Sequence, residues 1–142
     1  MRFHIDAPAS LLVFFVACLG CGSSAPKTYD VKGKLLLTGQ PIPVKFDEIS
    51  KAGGRVRLWI VKQDGGNPPE RKEASMSKDG TFLFGEGNKP TAGTYKVCVK
   101  WQDSFPTAGD KLENKFDEKN TKIIRKVPED GDWLIDVSPP EG

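Results

Sequence analysis

The chain has 142 residues, with 21 Lys and Arg against 19 Asp and Glu, a single histidine and three cysteines. Its formal charge of +2 is spread along the chain rather than gathered into one block. That excludes the concentrated basic face on which phosphate-backbone binding depends, and with it nucleic acid as a partner.

Arg2 makes the N-terminus positive, and Leu11 to Gly20 is an uninterrupted run of ten apolar and small residues. A bilayer span needs about 20, so the run fits the hydrophobic region of an export signal instead. Leu19-Gly20-Cys21, followed by Gly22-Ser23-Ser24, resembles the cleavage site of bacterial lipoproteins, in which a small residue precedes the cysteine that is lipidated. The resemblance implies a signal peptide over 1–20, an acylated Cys21 inserted in a lipid bilayer, and a flexible linker over 21–28. Several acyl chains on one cysteine hold a domain at a membrane surface without spanning it. The match departs from the family pattern at Cys18, where Leu is usual, and Val16-Ala17-Cys18 forms a competing box. The alternatives are an ordinary secretory signal cut near Ala25 and a buried apolar helix.

The folded domain begins at Tyr29 and runs to Ser138, with a tail over 139–142. Val31, Gly33, Leu35 and Leu37 alternate with polar residues and predict a first strand, turned by Thr38-Gly39-Gln40-Pro41. Pro41 and Pro43 bracket Ile42 and demote the next residues to an edge, with a short strand expected at Val44 to Ile49. After Gly53-Gly54, the stretch Arg55 to Lys62 has the highest β-propensity in the chain. Val56, Leu58 and Ile60 share one face, and Arg55, Arg57, Trp59 and Val61 share the other, so this strand is expected to be central.

Gln63 to Pro69 is a long turn. Ala74 and Met76 then alternate with Ser75 and Ser77, Lys78-Asp79-Gly80 turns, and Phe82 and Phe84 recur on one face. Gly93 opens the clearest period-two signal in the chain, with Tyr95, Val97, Val99 and Trp101 on one face and Thr94, Lys96, Cys98 and Lys100 on the other. Gln102 to Asn120 is polar, with Leu112 and Phe116 at helical spacing, and predicts either one short helix or a long crossing. Thr121 to Val127 and Trp133 to Val137 read as two closing strands, expected to pair as a hairpin about Pro128 to Asp132.

About seven short strands with frequent turns and no long helix predict an all-β, single antiparallel β-sandwich, with a small barrel as the alternative. Three motifs carry a resemblance. Val31-Lys32-Gly33-Lys34 with Gly39-Gln40-Pro41-Ile42, then Ser77-Lys78-Asp79-Gly80-Thr81-Phe82, then Gly93-Thr94-Tyr95-Lys96-Val97, resemble the carboxypeptidase regulatory-like and transthyretin-like domains. That resemblance implies a β-sandwich at a cell surface and no reaction. The usual second strand of the family is not clean here, because Val44 to Lys51 is followed by the additional Arg55 to Lys62 strand.

Transthyretin-like folds include a hydrolase with a histidine-centred site, but the only histidine here is His4, inside the expected signal. Histidine acid–base chemistry is therefore excluded from the mature chain, no carboxylate pair stands out, and no catalytic residue is assigned. The expected protein is non-catalytic and carries no cofactor. Zinc is disfavoured by the ligand count, whereas Asp64 to Asn67 or Asp110 to Asp117 could supply oxygen ligands to calcium, or could simply make turns. Cys98, between Lys96 and Lys100, is either a thiol activated by the lysines or a small residue on the strand's second face. Trp59, flanked by Arg55 and Arg57, is the candidate ligand contact, since an exposed Trp beside cations can stack a sugar ring; the alternative is a Trp packed beneath a loop.

These readings lead to a lipoprotein of the bacterial cell envelope whose sandwich, facing periplasm or exterior, is a binding, adhesion or assembly module. Its partner would be an envelope protein; the alternative is a polysaccharide bound through Trp59.

Overall fold

The computed structural model describes residues 24–42, 55–102 and 109–138. The expected signal peptide, Cys21, the strand at Val44 to Ile49 and the tail at 139–142 lie outside the described residues. Nine strands and no helix occur among the described residues. They are β1 (Val31–Leu37), β2 (Gln40–Pro41), β3 (Arg55–Lys62), β4 (Arg71–Glu73), β5 (Ser75–Met76), β6 (Thr81–Phe84), β7 (Gly93–Gln102), β8 (Ile124–Val127) and β9 (Trp133–Val137).

They form two sheets packed as a sandwich. One has four strands in the order β4-β3-β7-β8, all antiparallel, and β3 is interior to it as its two-sided apolar pattern predicted. The other has five strands built around β1. Gly33 and Lys34 pair with both β6 and β9, so these strands must lie on opposite edges of β1. Leu36 and Leu37 likewise pair with both β2 and β9, which puts β2 on the same edge as β6.

The expected hairpin between β8 and β9 does not form. β8 closes the four-stranded sheet, whereas β9 crosses to the other sheet and runs parallel to β1, from Gly33↔Trp133 to Leu37↔Val137. The strict alternation of β9 fixes which side chains are buried, but not which neighbour supplies the hydrogen bonds, so the pattern alone does not distinguish β8 from β1 as its partner. Thr38 N–H donates to the Val137 carbonyl (3.1 Å) and Gly39 N–H to Asp136 Oδ2 (3.0 Å), so the first turn clamps the end of β9. Across the sandwich, Arg125 on β8 donates from Nη2 to the Leu134 carbonyl of β9 (3.0 Å) and bridges the two sheets at their open side.

The core contains most of the residues the alternations predicted, and Val61 and Cys98 on the opposite faces of their strands are buried besides. Leu35, Leu58, Phe82, Tyr95, Val97 and Ile135 are all buried. Phe84 meets Phe82 and Trp133 edge-on, with ring centroids 6.1 and 6.2 Å apart, the geometry aromatic quadrupoles favour. Trp101 is half-buried against this core, and the Lys111 ammonium lies 4.5 Å from its ring centroid. The chain changes sheets at Ala74, between β4 and β5, where Ala74 N–H still bonds to the Leu58 carbonyl (2.9 Å).

Gly33 is the most crowded of the described glycines. A Cβ built there would strike the Trp133 carbonyl oxygen and come within 2.7 Å of the Phe82 ring.

Candidate functional site

On β3 and β7 the side chains that do not enter the core form the outward face of the four-stranded sheet. The register sets Arg57 opposite Lys100 and Trp59 opposite Cys98, with Glu73 of β4 on the other side of Trp59. A bare β7 edge would expose unpaired backbone groups beyond Lys96, where β8 ends. The segment 109–123 takes that place. Lys111 N–H donates to the Trp101 carbonyl (2.7 Å), Val99 N–H to the Phe116 carbonyl (2.9 Å) and Val97 N–H to the Ile123 carbonyl (2.9 Å). Thr121 Oγ1 donates to the Val97 carbonyl (2.6 Å).

The sequence left open whether this stretch is a helix or a crossing, and among the described residues it is a crossing made of turns. Glu113 and Asn114 have φ of 50° and 59°, a left-handed conformation that a right-handed helix cannot contain. Asp110 draws the backbone into these turns. Its Oδ1 accepts from Trp101 N–H (2.9 Å) and Leu112 N–H (3.1 Å), and its Oδ2 from Asn114 N–H (3.1 Å). Leu112 and Phe116, spaced as for a helix, are instead both buried in the core from successive turns.

The crossing delivers Glu118 onto the outward face. Trp59 Nε1 donates to Glu118 Oε1 (3.1 Å), Arg71 Nη2 donates to Oε2 (2.7 Å), and Lys96 Nζ reaches the Glu118 carbonyl (3.2 Å). Trp59 is half-buried, with its indole fixed by this carboxylate and the Arg57 guanidinium 5.7 Å from its ring centroid. Arg57 binds Glu73 through two parallel bonds, Nε to Oε1 (2.8 Å) and Nη2 to Oε2 (2.7 Å), the fork geometry of a strong pair. Arg55 lies 3.9 Å from the same carboxylate.

Two open clefts meet at Trp59. One, of about 370 Å³, is walled by Arg57, Arg71, Lys72, Glu73, Asn88 and Glu118. The other, of about 320 Å³, is walled by Arg57, Lys100, Asp110, Asn114, Asp117 and Glu118, with Val99 at its floor. The three residues singled out from the sequence thus sit together, and Trp59 and Arg57 border both clefts. Glu73, Lys100 and Glu118 were missed. Lys100 was legible as a residue on the same face as Cys98, but the pairing of β3 with β7 that sets it beside Arg57 was not. Glu118 arrives from a turn with no periodicity to announce it.

The Arg57 bonds hold the Glu73 carboxyl below its ordinary value of 4.5, against the opposing effect of partial burial. A depressed carboxylate contributes stability that is full above the unfolded value and is lost as pH falls through the folded one. Glu73→Gln is therefore expected to lower the melting temperature slightly at pH 7 and to flatten its decline below about pH 4.5. Melting curves of both proteins between pH 7 and pH 3 check this, and parallel declines would show that Glu73 does not carry the acid response.

Cys98 lies under the crossing, fully buried, and its thiol is pushed up to about 12, first by burial and then by the Glu118 charge. The two flanking lysines do not activate it. The acidic loops considered for calcium spend their oxygens on the backbone, Asp64 Oδ1 accepting from Thr94 N–H (2.9 Å) and Asp117 Oδ1 from Lys119 and Asn120 N–H (2.9 and 2.8 Å). No group of three or more potential metal ligands converges among the described residues.

No family model, curated protein or solved structure matches this chain. The likeness drawn from the three sequence motifs therefore reaches as far as the architecture, a small domain of two packed sheets.

Proposed function

We propose that this protein is a non-catalytic binding module of the bacterial envelope, tethered to a bilayer through acylated Cys21, and that it engages its partner through the outward face around Trp59. The observation that carries the binding surface is the meeting of two clefts on one aromatic ring whose orientation is fixed by Glu118. Such a ring offers apolar contact area that need not be ordered on binding, and the surrounding guanidinium, amide and carboxylate groups supply directional bonds. The tether rests on the Leu19-Gly20-Cys21 pattern. It would be followed by a short linker to β1.

Photo-crosslinking in native membranes tests the surface. A crosslinker at Asn88, which borders one cleft, is expected to capture a defined partner, whereas one at Leu134, on the far sheet, is not. Capture from Leu134 alone would move the interface elsewhere. Intact mass of the extracted protein tests the tether, and an unmodified chain beginning at Met1 would remove it. The carbohydrate reading is favoured by one observation in particular. A ring held by its N–H to Glu118, with Arg57 over its centroid at 5.7 Å and a cleft at each border, offers a fixed surface on which a saccharide can stack, as a disordered Trp would not.

A further inference from the structure

Among the described residues, β8 and β9 are the longest strands that end a sheet, with four and five residues against two or three in β2, β4 and β5. Each turns a row of backbone groups away from its own sheet. Thr38 N–H donates to the Val137 carbonyl, so by alternation Trp133, Ile135 and Val137 direct their backbone groups to β1, and Leu134 and Asp136 direct theirs outward. On β8, Val97 N–H donates to the Ile123 carbonyl, so Arg125 faces β7 and Ile124 faces outward. Such a row is a template for another strand. The side chains beside it add apolar area, Ile124 being 42% and Leu134 59% exposed. One guanidinium answers both rows: Arg125 donates from Nη1 to the Ile124 carbonyl and from Nη2 to the Leu134 carbonyl, each at 3.0 Å.

From this arrangement we infer that Arg125 is an edge guard, which keeps β9 from pairing with β9 of a second copy of this chain. Antiparallel pairing about Ile135 would set Leu134 of one copy opposite Asp136 of the other, and the outward N–H and carbonyl of both residues would exchange bonds across a two-fold axis. No like charges oppose each other in that register, so the side chains do not forbid it. The Leu134 carbonyl is one of the acceptors it requires, and Arg125 already holds that oxygen. Because the same guanidinium is fixed at Ile124 on the other sheet, an incoming strand must displace a group held at two points. The guarded edge belongs to the sheet opposite the Trp59 clefts, and the inference does not depend on what those clefts bind.

The test is sedimentation equilibrium of the full-length protein in a mild detergent, comparing the unaltered chain, Arg125→Ala, and Arg125→Ala combined with either Leu134→Pro or Leu134→Lys. The unaltered chain is expected to keep the mass of one copy, and Arg125→Ala to rise about twofold in mass as its concentration is raised. Proline at 134 removes the outward N–H without taking a bond from β1, and lysine leaves the backbone intact while placing a charge on the edge. Both combinations are expected to return to one copy. An Arg125→Ala protein that stays single at every concentration, or an unaltered chain that already pairs, would overturn the inference. Association that persists in both combinations would overturn it too, since the contact would then arise from another surface or from unfolding.

Discussion

Gly33→Ala is expected to destabilise the domain by about 3 kcal/mol, the upper range for forcing volume into a packed core. For a domain of this size that corresponds to a fall in melting temperature of about 10–15 °C. The added methyl has no space, since it meets the Trp133 carbonyl oxygen on one side and the Phe82 ring at 2.7 Å on the other. A backbone oxygen cannot rotate away as a side chain can. Relief requires β9 to move off β1, and with it the Val137 carbonyl that accepts from Thr38. Gly85→Ala is the control, because a Cβ there meets nothing within 4 Å, and its expected effect is below about 0.5 kcal/mol. Urea titration of the two variants checks both; equal midpoints would mean that β1 and β9 are not paired in the register described.

Leu112→Ala is the second large effect, expected to cost about 3 kcal/mol as a fully buried leucine truncated to leave a cavity. Its value lies in a second readout. Leu112 and Phe116 hold the crossing against the core, and the crossing covers Cys98. Loosening it should open this segment before the sheets separate, in the manner of a local unfolding unit. In the native protein Cys98 should react with a thiol reagent only through rare opening, the thiol being buried and pushed up to about 12. In Leu112→Ala, labelling is expected to accelerate at denaturant concentrations below the unfolding transition. A labelling rate that follows global unfolding alone in both proteins would show that the crossing and the sandwich unfold as one.

Periodicity made the sheets readable and left their partners hidden. In β3 and β7 the apolar alternation named most of the core-facing residues, because burial of one face of a strand is a local property of its pattern, although Val61 and Cys98 on the other face are buried as well and Trp101 is only half-buried. The pairing of β9 with β1 joins residues about a hundred positions apart, and only the competition among all available edges decides it. The candidate site divides in the same way. Arg55, Arg57 and Trp59 were visible because they alternate with core residues on a single strand. Glu73, Lys100 and Glu118 come from three other places, joined to that strand by register or by a turn. At the crossing, the spacing of Leu112 and Phe116 suggested a helix, but Glu113 and Asn114 between them take left-handed φ values of 50° and 59° that break a right-handed helix after its first turn.

The parallel pairing of β1 with β9 also bears on the order in which the sheet can assemble. A chain made from its N-terminus presents β1 early, yet one edge of that strand has no partner until β9 has been made. The five-stranded sheet cannot close around its own middle strand before then. Contacts of such long sequence separation form late and slowly, so the sheet becomes rigid only once Trp133 to Val137 has been made and has found β1.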